Sequence, residues 1–190
     1  MTSSNGSMNR RDVLQIAAAT GAASLLVSKS ASAVEEESQP LEIVDTNVSL
    51  FHWPFRRLPL DQTAKLIKKL RTLGVTQAWA GSFEAILHRD LAGVNGRLAQ
   101  ECRQHRELVP IGTINPLLPG WEHDLHQCLG KHGMPAVRVY PNYHGYTLQE
   151  PRFVQLLEKV TAAGCFLQLA SMMEDTRTQH VQHQVADVDL

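Results

Sequence analysis

The chain has 190 residues, and its 18 Lys and Arg against 19 Asp and Glu give a formal net charge of −1. Both signs are interspersed along the chain, so it lacks the basic stripe that nucleic acid or an anionic membrane surface would need. Neither a P-loop, a G-x-G-x-x-G turn nor a G-x-S-x-G elbow occurs, which removes the phosphate-cradling and nucleophile-elbow classes.

Arg10 and Arg11 lead into an apolar run from Val13 to Val27, and Ala31-Ser32-Ala33 offers a small-residue cleavage site. This pattern predicts a twin-arginine signal over residues 1–33. A membrane anchor would want about 18 consecutive apolar residues, and Gln15, Thr20 and Gly21 interrupt the run. The expectation is an exported, periplasmic protein with no stable membrane span after cleavage. Residues 34–40, without apolar periodicity, read as a disordered linker, and 41–190 as one folded unit.

From Leu41 onward, short apolar runs alternate with helical repeats, the pattern of βα units and a parallel sheet. Residues 41–48 read as the first strand. After the loop carrying His52 and Trp53, a helix follows, capped by Asp61, with Ala64, Leu66, Ile67, Leu70 and Leu73 as its apolar face. Gly74 suits the position just past that helix, where a left-handed backbone is cheapest without a β-carbon. Residues 75–80 read as the second strand, and Leu91, Val94, Leu98 and Cys102 mark the second helix. Residues 108–114 read as the third strand, Trp121, Leu125, Cys128 and Leu129 as the third helix, and 136–140 as the fourth strand. Phe153, Leu156, Leu157 and Val160 give a fourth helix, and 165–170 the fifth strand. His123 and His126 fall on the outer face of their helix and read as surface residues. Cys102, Cys128 and Cys165 form no C-x-x-C pair and read as small buried hydrophobes.

Five strands with four intervening helices predict α/β architecture, a partial (β/α)8 TIM-barrel-like fold; a complete barrel typically needs about 250 residues. The alternative is an open doubly wound sheet, whose exposed edge would invite a homo-oligomer. In a barrel the chemistry lies at the carboxyl ends of the strands. The residues leaving those ends are Asp45, Asn47, Ser49 and His52; Ser82 and Glu84; Asn115; Arg138, Tyr140, Asn142 and His144; and Glu174, Arg177 and His180. A two-residue strand period places 45, 47 and 49 on one face. That face offers a carboxylate, an amide and a hydroxyl, and the last two are weak ligands for zinc.

Ile43-Val44-Asp45-Thr46-Asn47, Trp53-Pro54-Phe55-Arg56-Arg57-Leu58 and the run from Val137 through Tyr140-Pro141-Asn142-Tyr143-His144 to Tyr146 resemble the amidohydrolase-related family, and within it the amidohydrolase 2 group. The resemblance runs from about Leu41 to the C-terminus. It implies a hydrolase, decarboxylase or lactonase acting on a small carboxylate-bearing compound. Asp45 matches the family's strand-one acid, whereas Asn47 and Ser49 stand where its two histidines would be. His180 matches the histidine after strand five, and the strand-eight aspartate has no counterpart before Leu190. Zinc or another divalent metal is therefore not favoured, and no metal ligand is assigned. In the metal-free manner, fixed donors would stabilise developing negative charge. The expected catalytic residues are Asp45, Arg138, His144 and His180; the expected substrate contacts are Asn47, Ser49, Tyr140, Asn142 and Arg177. A non-catalytic binding protein on a degenerate barrel scaffold is the competing reading.

Overall fold

The structure, a computed structural model, describes residues 42–175, 177 and 179. The predicted signal, the linker and His180 lie outside the described residues. Strands and helices alternate, and the strands pair in chain order and in parallel. β1 (Ile43–Leu50) pairs with β2 (Val75–Ser82), and β2 with β3 (Leu108–Pro110). β4 (Gly112–Thr113) pairs with β5 (Ala136–Val139), and β5 with β6 (Phe166–Leu169). The predicted third strand is thus two pieces divided at Ile111. The first pairs backwards with β2 and the second forwards with β5, so one segment links two three-stranded sheets.

α1 (Thr63–Thr72) packs Ile67 and Leu70 against Val48, Leu50, Ala78 and Ala80. Ala64 and Leu73, expected on that face, are exposed. Asp61 does not cap α1. Its N-cap is Gln62, without a side-chain cap bond, because the Asp61 carboxylate is taken by Arg57 at 2.5 Å. Gly74 does close the helix, at φ 72°.

β5 falls within the predicted fourth strand. Val137 and Val139 join Leu125 and Cys128 of the segment that begins with α3 (Trp121–His126), and Phe153, Leu156 and Val160 of α5 (Pro151–Ala162). Full burial of each such side chain is worth about 1.5–3 kcal/mol. Between β5 and α5 lies a short helix, α4 (Pro141–His144), started by a proline at its first position and stopped by Gly145 at φ 73°. His123 and His126 are exposed, and Cys102 and Cys128 are buried with thiols pushed up to about 12 by desolvation.

β2 ends at Ser82, leaving the Thr113 backbone without a strand partner on that side. Asn95 of α2 (Leu91–Cys102) takes its place: its Nδ2 donates to Thr113 O at 2.9 Å and its Oδ1 accepts from Thr113 N at 2.8 Å. Both groups are buried. Asn95→Ala would orphan a buried N–H and a buried C=O, with an expected cost of about 3 kcal/mol. Urea denaturation reads this directly, and a loss under about 0.5 kcal/mol would show that water replaces the amide.

Candidate anion site at the strand ends

Arg138 is the largest fully buried side chain, 1% exposed. It stands on β5 between Val137 and Val139, which face the helices, so strand alternation turns it to the inner face. Its Nε donates to Gln168 Oε1 at 3.0 Å, and its Nη1 donates to Val48 O at 3.2 Å and Ser49 Oγ at 3.0 Å. Nη2 makes one long contact, 3.5 Å to Thr46 O. Arginine carries five N–H donors and keeps its charge in proteins. Three are well used here, the Nη2 pair is poorly used, and every partner is a neutral oxygen. A buried cation held without a carboxylate is costly.

The strand-one partners reach Arg138 because β1 is irregular. Asp45 aligns with Ala78 and Val48 with Ala80, so three steps on β1 match two on β2. This bulge adds one residue and breaks the two-residue alternation. The expected common face of 45, 47 and 49 is therefore broken at Asp45, while Asn47 and Ser49 both reach the Arg138 side. Ser49 meets Arg138, Asn47 lines a cavity, and the Asp45 carboxylate accepts the Asn47 N–H at 3.0 Å.

That cavity, about 430 Å³, has Arg138, Thr46, Asn47 and Gln168 among its lining residues. Its volume is in the range of small-molecule sites. Ser171, Met172 and Met173, leaving β6, also line it. Their segment is tied down at two points: Met173 N donates to Tyr143 Oη at 3.2 Å, and Glu174 pairs with Arg56 at 2.6 Å.

Tyr140, fully buried, lies on the same side of β5 as Arg138. Burial raises its phenol above the usual range, with the nearby Arg138 charge opposing, and its hydroxyl has no partner of hydrogen-bond geometry. The His144 ring packs edge-on against Tyr140 at 5.9 Å. His144 Nε2 lies 3.1 Å from Ala85 O. A carbonyl can only accept, so Nε2 carries the proton and Nδ1 is the bare acceptor. That Nδ1 is buried without a partner, and burial lowers the imidazole's pKa. Trp53, Phe83 and Tyr143 complete this aromatic layer, with Trp53 to Phe83 centroids 5.2 Å apart.

The His144 shift has a definite sign. A histidine kept neutral by folding binds its proton more weakly in the native state than in the unfolded chain, where the pKa is about 6.5. Its contribution to stability is present above that value and is lost as pH falls below it. Melting temperature is expected to drop between about pH 6.5 and 5 in the parent and to change less in His144→Phe. Equal slopes for the two would contradict this burial effect.

The structure thus gathers Arg138, Ser49, Asn47 and Tyr140, with His144 behind Tyr140. Asp45 faces its own backbone. Asn142 is half-buried in α4. Arg177 is exposed and paired with Asp175 at 2.5 Å. Of the other strand-end residues, Ser82 Oγ accepts Glu84 N, Glu84 pairs with Arg97, Asn115 Oδ1 accepts Leu117 N, and His52 is exposed. Gln168 was missed by the sequence reading. Two residues apart, Phe166 and Gln168 share one face of β6, and Phe166 meets Trp79 at 5.7 Å, a contact between distant parts of the chain that the sequence does not mark.

No family model matches the chain, and no curated protein does. Solved structures do match. A 5-carboxyvanillate decarboxylase from Sphingomonas paucimobilis gives a TM-score of 0.59 at 12% identity, over 73% of this chain and 54% of that one. The IDCase of Metarhizium anisopliae gives 0.56 at 14%, over 67% and 50%. A 5-carboxyvanillate decarboxylase from Novosphingobium aromaticivorans, solved with bound manganese, gives 0.54 at 14%, over 68% and 51%. The chain spans about half the length of these structures.

A divalent metal does not fit the residues on this face. Among the described residues no three His, Cys, Asp or Glu side chains gather. Ser49 Oγ is occupied by the Arg138 guanidinium, a cation where a metal would repeat the charge. Among the described residues, no helix is long and apolar enough to cross a membrane. The fold, α/β with parallel strands and alternating helices, is similar to that of these structures, and its strand ends gather around Arg138.

Proposed function

We propose that the chain binds a small carboxylate-bearing compound through Arg138 and belongs to the hydrolase, decarboxylase or lactonase chemistry of the amidohydrolase-related fold. The observation that carries this reading is the buried guanidinium of a cavity-lining residue, with only neutral partners and an under-used Nη2. A carboxylate oxygen would supply the missing negative charge, and charge-assisted bonds of this kind are the strong ones. The neighbours whose names specify 5-carboxyvanillate decarboxylation lend the substrate class its support. In this reading Tyr140 Oη is a second donor beside Arg138, and the neutral His144 ring packs edge-on behind it. Export by the twin-arginine route and self-association through the open edges, where Ile43, Val44 and Phe166 are exposed, complete the proposal.

The test is calorimetric titration of the 190-residue chain with benzoate and with its uncharged counterpart benzamide. Benzoate is expected to bind at least about tenfold more tightly, the worth of one charge-assisted bond. Equal affinity for the two would refute the carboxylate site.

A further inference from the structure

We infer that Gln168 orients the Arg138 guanidinium toward its ligand without neutralising it, a positioning role that rests on the carboxylate-site reading above. Gln168 stands on β6 and spans two strands: its Oε1 accepts from Arg138 Nε at 3.0 Å, and its Nε2 donates to Thr46 O at 2.9 Å. The second bond fixes which end of the amide meets the guanidinium, since only the oxygen can accept. With Nε on Gln168 and Nη1 on Val48 O and Ser49 Oγ, the planar guanidinium is held at two of its three nitrogens, and Nη2 is left with the 3.5 Å contact.

The chemistry of position 168 sets the charge of the whole site. Arg138 meets carbonyls and a hydroxyl from β1 and an amide from β6, and Tyr140 is the titratable group beside it on β5. A carboxylate in place of the amide would cancel the guanidinium and leave no net charge for an incoming anion. A neutral acceptor orients the cation without cancelling it. The site so built carries one uncompensated positive charge, which suits a singly charged carboxylate bound through one oxygen at Nη2. Gln168 also lines the cavity, so it stands beside the ligand it admits.

Three variants of the full chain, each titrated with benzoate and benzamide, separate this role from a merely structural one. Gln168→Glu is expected to collapse the benzoate preference to about one, because charge-assisted recognition is lost. Gln168→Met removes the orienting bond but adds no charge; both ligands are expected to weaken severalfold while benzoate stays preferred. Arg138→Met tests the underlying reading and should also abolish the preference. If Arg138→Met abolishes it and Gln168→Glu retains it, the role given to Gln168 is wrong and the site stands. If Arg138→Met retains the preference, or the parent chain has none, both assignments fall. Circular dichroism of each variant should match the parent; a Gln168→Glu chain that folds and still prefers benzoate overturns the inference.

Discussion

Arg138→Met is expected to weaken benzoate binding by about 100-fold while leaving the melting temperature close to that of the parent or above it. The two effects have opposite origins. Binding loses the charged donor of the site, and removing a charge-assisted bond from a desolvated site costs about 1.5–3 kcal/mol. Stability gains because a buried cation without a carboxylate is removed, and replacing buried charge by an apolar side chain of similar length is often neutral or stabilising. Against that gain stand Val48 O and Ser49 Oγ, which lose a donor at 3.2 and 3.0 Å. Arg138→Lys should be intermediate in binding, since a single ammonium cannot reach Gln168, Ser49 and a ligand together. Calorimetry and a thermal melt measure both quantities. A large drop in melting temperature with unchanged benzoate affinity would make Arg138 a structural residue.

Gly81→Ala is expected to destabilise the fold by about 2 kcal/mol, the cost of overpacking a filled interior, and to weaken benzoate binding about tenfold. A β-carbon there would lie 2.8 Å from Arg138 Nη1 and 3.2 Å from its Cζ. The guanidinium has little freedom to retreat, being held by Val48, Ser49 and Gln168. The backbone has little either, because β2 is paired on both sides and Gly81 itself is in register with Ser49. Either the strand shifts or the cation does, and both outcomes reach the site. Urea denaturation together with titration distinguishes them; a change under about 0.5 kcal/mol with normal binding would mean that Arg138 can move aside freely.

Much of this architecture was legible in the chain. The apolar run around Arg138 marked the strand that carries it, and period-3.6 apolar spacing located α2 and α5. What failed did so for local reasons. Asp61 looked like a helix cap, but Arg57, four residues earlier, competes for the same carboxylate. The face of Asp45, Asn47 and Ser49 was drawn from strict alternation, and a bulge between Asp45 and Val48 has no sequence mark comparable to a glycine turn. The third strand read as continuous because its apolar run is continuous; its division at Ile111 reflects a change of partner from β2 to β5, which is a tertiary fact. Within the site, Arg138 and Tyr140 were visible as polar groups in an apolar strand. Gln168 was not, because its meaning depends on Arg138 and Thr46, 30 and 122 residues away.

The most direct measurement is a crystal structure of the chain with 4-bromobenzoate, located by the anomalous signal of its bromine. A carboxylate oxygen is expected about 3 Å from Arg138 Nη2, in the cavity beside Asn47 and Gln168, with the Arg138 bonds to Ser49 and Gln168 kept. A ligand bound elsewhere, with Arg138 still held only by its backbone and side-chain oxygens, would contradict the carboxylate site.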